Sequence, residues 1–254
     1  MSFCKSFSLL LICAFLSACG GGSTASAPPP VVQPPPVAIF GGIWFGEMTI
    51  DSALGSELCG ALITEDGQFR FLCAFTDLQL VGMSSRDANA LTGSGLALST
   101  LVFLDGTFVS DLSLQATLVS KTSLVGTWST AAGDTGSFDM LYDPIYETPS
   151  SLSLYEGVWQ GTDELGNPNV TFTIDNLGAF TAQNSNGCLS SGMIMMTDAR
   201  YTLVQISSTI SACGIAGDYA GLAFVYDDLV ANDTMLISIS NDQRALVVEL
   251  QRMP

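Results

Sequence analysis

Apolar and polar residues alternate one for one through short segments of this chain, and that period of two constrains the fold more than any other feature of the sequence. Leu112, Leu114, Ala116 and Leu118 interleave with Asp111, Ser113, Gln115 and Thr117. Held as an extended strand, the segment buries one face and wets the other. Val170, Phe172 and Ile174 alternate in the same way with Thr171 and Thr173, and Leu246, Val248 and Leu250 oppose Glu249 and Gln251. Gly, Asp and Asn divide the segments, and after Ala38 no helical stretch competes with them, so the chain reads as all-β and antiparallel. A domain built only of short consecutive strands must hide its sheet edges, and closing into a small up-and-down barrel does so; a sandwich is the alternative.

The segment from Leu58 to Phe75 allows the turn and the cysteines to be checked against each other. Glu65-Asp66-Gly67 suits a three-residue hairpin loop with glycine in the left-handed position. That register sets Thr64 opposite Gln68, Ile63 opposite Phe69, Ala61 opposite Phe71 and Cys59 opposite Cys73, so one face is wholly apolar. If Thr64 and Gln68 close the loop, Cys59 and Cys73 become a non-hydrogen-bonded pair with Cα atoms roughly 4.5 Å apart, within disulfide reach. Cys188 and Cys213 are then left to pair with each other. With a turn near Asp198-Ala199, Cys213 falls about four residues beyond the point opposite Cys188, which predicts a bridge from a loop to a strand end.

A weak internal repeat suggests two domains. Gly42-Ile43-Trp44-Phe45-Gly46 and Gly157-Val158-Trp159-Gln160-Gly161 share G-x-W-x-G, and each is followed by a loop with glycine before an aromatic, Gly67-Gln68-Phe69 and Gly178-Ala179-Phe180. Gly133-Asp134 also precedes Tyr142-Asp143 by the same interval as Gly217-Asp218 precedes Tyr226-Asp227. Pro144, Pro149 and a serine cluster interrupt the alternation at 143–153, which predicts β-domains over 39–145 and 152–254. Flanking glycines let each tryptophan pack inward as a core plug, or alternatively face a ligand. The opening G-x-W resembles the first strand of lipocalin-like barrels, and that resemblance implies a small apolar ligand held inside one or both barrels.

At the N-terminus, Lys5 precedes the apolar run Leu9 to Phe15, and Leu16-Ser17-Ala18-Cys19 closes it. The run is too short for the roughly 20 residues of a transmembrane helix. It resembles the bacterial lipoprotein signal, L-[AS]-[GA]-C. The resemblance implies removal of 1–18 and lipidation of Cys19, and Gly20 rather than Asp after the cysteine implies an outer-membrane destination. Residues 19–38 are rich in Gly, Ser and Pro, with Pro28-Pro29-Pro30 and Pro34-Pro35-Pro36. Polyproline II at about 3.1 Å per residue makes this a tether on the order of 50 Å long.

Composition removes several classes of function. Seven Lys and Arg face twenty-four Asp and Glu, and loss of Lys5 with the signal leaves six basic residues. Nucleic acid is excluded as a partner, because binding it needs Lys and Arg to neutralise phosphates. The chain has no histidine, which removes the Ser-His-Asp and Cys-His arrangements and the common zinc sites. Carboxylate-only hydrolysis needs just two acidic groups. Asp134, Asp139 and Asp143, or Asp218, Asp227 and Asp228, are the clusters to inspect for that or for calcium. The sequence therefore points to a non-enzymatic, lipid-anchored envelope protein with a binding or scaffolding role and no cofactor or resident metal. Its partners would be the membrane and an unidentified protein. A carrier of a small apolar ligand is the alternative and a carboxylate hydrolase a remote one. A connected cavity would separate carrier from scaffold, although the many inward phenylalanines and leucines predict a filled interior.

Overall fold

The computed structural model describes residues 40–50, 55–73, 75–162, 168–227 and 231–254. Cys19, the signal segment, the tether and Asp228 lie outside them.

Sixteen antiparallel strands form two closed barrels of eight. The first barrel takes β1 (Gly42–Ile50), β2 (Gly55–Ile63), β3 (Gln68–Cys73), β4 (Gln79–Asp87), β5 (Ala90–Leu98), β6 (Val109–Val119), β7 (Ser123–Thr130) and β8 (Thr135–Asp143). Two short 3-10 turns, Pro144–Glu147 and Leu152–Leu154, lead into the second. It comprises β9 (Gly157–Thr162), β10 (Pro168–Ile174), β11 (Ala179–Asn184), β12 (Leu189–Met195), β13 (Val204–Ser211), β14 (Gly217–Tyr226), β15 (Thr234–Ser240) and β16 (Ala245–Arg252). Strands follow one another around each barrel, and the last pairs with the first to close it.

The hairpin of β2 and β3 has the register that its turn chemistry dictates. Ile63 faces Phe69, Ala61 faces Phe71, and Cys59 faces Cys73 across a Cα separation of 4.4 Å, bridged as a disulfide. Gly67 sits at φ +91°, where a side chain is strained, and a Cβ there would lie 2.3 Å from the Ser84 carbonyl oxygen. The hairpin of β10 and β11 repeats this construction. Thr64 N and Gly67 N donate to Gln68 O and Thr64 O, and Asp175 N and Gly178 N donate in the same way to Ala179 O and Asp175 O. Ser84 N on β4 then reaches the Gly67 carbonyl at 2.7 Å, as Ile194 N on β12 reaches that of Gly178 at 2.8 Å.

Trp44 and Trp159 occupy equivalent first strands, and both indoles are fully buried plugs. The second spacing match does not mark equivalent strands. Gly133-Asp134 precedes β8, the eighth strand of its barrel, whereas Gly217-Asp218 opens β14, the sixth of the other. Each pair of dipeptides brackets one strand of similar length, β8 of nine residues and β14 of ten, so the shared interval reflects strand length alone.

The barrels pack side by side through their outer faces, within one compact unit. Ile43 and Leu62 from the first meet Leu203, Leu222 and Phe224 from the second, and Tyr146 stacks on Tyr201 with ring centroids 4.4 Å apart. Such a stack is worth roughly 0.5–1.5 kcal/mol beyond its buried area. Arg70 points out of β3 into this joint and is buried. It donates to Ser238 Oγ (3.2 Å), Ala220 O (2.6 Å) and Ser240 Oγ (2.9 Å). Loss of hydration pushes its guanidinium down to about 10. Ser238 in turn donates to Gln79 Oε1 of the first barrel at 3.2 Å.

Candidate ligand-binding site

The two barrels differ in what fills them. Inside the first, Trp44, Phe69, Phe71, Trp128 and Phe138 are all buried in one cluster, with Phe71 and Phe138 centroids 4.8 Å apart. Phe103, from the loop after β5, is buried in the same cluster and covers one end. Trp128 stands near the end of β7. The inward residues near the corresponding end of β15 are Ile237 and Ile239, and small or polar residues take further inward positions: Ala182, Ser190, Gly192 and Ser208. Ala182 and Ser190 stand where the first barrel has Phe71 and Leu80, whereas Gly192 and Ser208 match Gly82 and Gly95. A cavity of about 510 Å³ lies in the second barrel, so the filled interior predicted for both domains holds for the first barrel and not for the second.

Phe172, Phe180, Ile206, Ile237, Ile239 and Val248 supply the apolar wall. Below the cavity the barrel is closed by a floor of buried core, in which Trp159 Nε1 donates to Tyr155 O at 2.7 Å and the Tyr155 hydroxyl donates to Thr202 O at 2.6 Å. Burial raises the Tyr155 phenol well above its ordinary value. Opposite the floor lies the mouth, rimmed by the amides of Asn169, Gln183, Asn184 and Asn186. Within the wall one polar pair faces inward, Ser190 Oγ and Ser208 Oγ, 2.6 Å apart.

The cavity also reaches the barrel's closing seam. Among the described residues β9 and β16 share two rungs, Gln160 with Gln251 and Trp159 with Arg252, whereas the closing pair of the first barrel, β1 and β8, shares eight. Arg252 pins the seam at the floor end, donating to Glu156 O at 2.7 Å and to Leu154 O, with its guanidinium 4.1 Å from the Trp159 ring centroid. Toward the mouth no rung joins the described residues of the seam, and Gln160, Thr162, Val247, Glu249 and Gln251 line the cavity there.

Cys188 and Cys213 form a disulfide at the mouth, with Cα atoms 5.1 Å apart. Leu189 faces Ser211, so Cys213 lies one residue past the position opposite Cys188, not four. The connection over 196–203 is centred later than Asp198-Ala199, because Tyr201 and Leu203 are drawn into the joint between barrels. Ala212, at φ +63°, makes the bend that brings Cys213 back.

The two acidic clusters do not converge. Asp134 and Asp143 sit at opposite ends of β8, and Asp218 and Asp227 at opposite ends of β14. At about 3.3 Å per residue, sequence neighbours in a strand are carried apart. Each of these carboxylates is engaged locally. Asp134 accepts from Leu104 N at 3.0 Å, Asp143 from Ile145 N at 2.9 Å, Asp218 from Thr209 Oγ1 at 2.7 Å and Asp227 from Asn232 N at 2.6 Å. Asp139 is exposed on the outer face of β8. Glu57 lies beside the Cys59–Cys73 sulfurs, but those are bonded to each other, and its carboxylate accepts from Phe75 N and Thr76 N.

A smaller cavity of about 180 Å³ lies at the joint, among Thr64, Glu65, Tyr146, Asp198 and Tyr201. Glu65 accepts from Phe40 N at 3.0 Å and from the Tyr146 hydroxyl at 3.1 Å, which fixes the entry of the chain into β1. Desolvation first, then the neighbouring Glu65 charge, raises the Tyr146 phenol far above its usual range. This end of the first barrel abuts the closed end of the second, so the mouth of the large cavity faces away from Phe40.

No protein-family model matches the chain, and no curated protein matches it. Among solved structures, one from Bacteroides fragilis, provisionally designated an outer membrane protein, is 10% identical and aligns over 84% of this chain and 97% of its own, with a TM-score of 0.29. That likeness is too slight to bear on fold or function.

Proposed function

We propose that the protein is a membrane-tethered carrier of a small apolar molecule, held in the second barrel, with the first barrel a solid body that braces it. One observation carries the reading: the cavity of about 510 Å³ walled by Phe172, Phe180, Ile206 and Ile237, a volume within the roughly 300–1,000 Å³ of small-molecule sites. Leaving so large an apolar space empty sacrifices packing that the first barrel obtains with aromatics. Function explains the sacrifice. The Leu16-Ser17-Ala18-Cys19 motif supports attachment to a membrane through Cys19, and Gly20 supports the outer one.

Native mass spectrometry of the mature chain carrying Cys19→Ser, purified from its own envelope fraction, tests the carrier role. A co-purifying small molecule that organic solvent removes is expected. A bare polypeptide mass, together with no uptake of an apolar fluorescent dye, would refute the reading. The same substitution tests the anchor, since the protein should leave the membrane pellet for the soluble fraction.

A further inference from the structure

We infer that the molecule held in the second barrel is uncharged: a neutral amphiphile, an apolar chain ending in a hydroxyl-type head, rather than a fatty acid or another carboxylate. This rests on the carrier reading and narrows its ligand class. Three features of the cavity carry it.

The first is the absence of a counter-charge. Among the described residues that line the cavity there is neither lysine nor arginine, and the one ionisable side chain is Glu249, at the seam. Of the basic groups nearby, Arg252 holds carbonyls below the floor and Arg70 lies outside the wall in the joint, while Arg244, in the loop after β15, is turned to Gly214 O of the neighbouring loop at 3.4 Å and is not among the lining residues. A carboxylate entering an apolar cavity without a cation to meet it keeps its full desolvation penalty. Glu249 adds repulsion, and the net charge of −17 opposes an anion before it arrives.

A second feature is the hydroxyl pair. Ser208 is buried within the wall, and its hydrogen bond to Ser190 uses one of two hydroxyl hydrogens. The other hydrogen and the remaining lone pairs are available to a group that both donates and accepts, as an alcohol does. The third is the rim. Asn169, Gln183, Asn184 and Asn186 offer amides that bind neutral polar groups and carry no charge.

The test uses the mature chain carrying Cys19→Ser, loaded with N-phenylnaphthylamine as a fluorescent occupant and titrated with dodecanol or with dodecanoate at neutral pH. Dodecanol should displace the dye at a concentration at least about tenfold lower. In the Ser190→Ala, Ser208→Ala double variant, shown to be folded by an unchanged circular dichroism spectrum, dodecanol should weaken relative to the dye by roughly three- to tenfold, the loss of one hydrogen bond. Dodecanoate matching or exceeding dodecanol, or an unchanged dodecanol affinity in the double variant, would overturn the inference and leave the carrier reading standing. Failure of the dye itself to bind would overturn both.

Discussion

Enlarging Ala182 to leucine should stabilise the protein and close its cavity in the same step. Ala182 projects from β11 into the second barrel, opposite Phe172, and borders the cavity of about 510 Å³. In the first barrel the equivalent hairpin position is Phe71, facing Ala61. Leucine adds three carbons, which on burial contribute about 2.4 kcal/mol at ~0.8 kcal/mol each. Ordering its side chain opposes this by roughly 0.5–1 kcal/mol. The net expectation is about 1.5 kcal/mol of added stability in the ligand-free protein, read as a higher urea midpoint at unchanged slope. Dye binding should fall in parallel. Had the space beside Ala182 been filled, the extra carbons would force strain costing about 1–3 kcal/mol. A lowered midpoint with dye binding intact would therefore refute the open second barrel.

Alanine at both Cys188 and Cys213 removes the strap between the two mouth loops, which spans a sequence separation of 25. It should lower the unfolding free energy by about 3 kcal/mol, and a change under about 1 kcal/mol in urea would contradict that. For Arg70, the fall to about 10 corresponds to roughly 3 kcal/mol against the charge at ~1.36 kcal/mol per pH unit, close to what three hydrogen bonds contribute at ~1 kcal/mol each. Arg70→Met should thus shift stability by less than about 1 kcal/mol, whereas a loss above about 3 kcal/mol would show that those hydrogen bonds dominate the joint. Burial raises the phenols of Tyr142, Tyr146 and Tyr155, with carboxylates adding to the first two. Because the unfolded chain releases these protons first, near pH 10, their contribution to stability is complete below about pH 10 and declines as the pH climbs toward the folded values. Phenolate absorbance should then appear together with loss of near-ultraviolet circular dichroism, and ionisation of these tyrosines at pH 10 in a still-folded protein would contradict it.

The barrel class was legible because strand alternation and loop chemistry act locally. Glu65-Asp66-Gly67 specifies its turn from three residues, and the turn fixes the register as far as Cys59 and Cys73. The joint between barrels was not legible. Leu222-Ala223-Phe224-Val225 is buried on both faces and breaks the alternation, a sign that the outer wall of that strand is covered, yet nothing local says by what. Ile43, Leu62 and Arg70 lie far off in sequence, and only the assembled sheet brings them there. Missing the joint also misplaced the turn before Cys213, since Tyr201 and Leu203 belong to it. The cavity left a fainter trace. Ala182 and Ser190 fall on inward positions where the first barrel places Phe71 and Leu80. Counting phenylalanines over the whole chain hid this difference, because volume matters barrel by barrel.

Xenon enters apolar cavities that are open and leaves filled cores alone. Crystals of the ligand-free protein under xenon pressure should show bound xenon among Phe172, Phe180, Ile206 and Ile237, and none between Trp44, Phe71, Trp128 and Phe138. Xenon in neither barrel, or in the first and not the second, would contradict a solid body bearing an open cup.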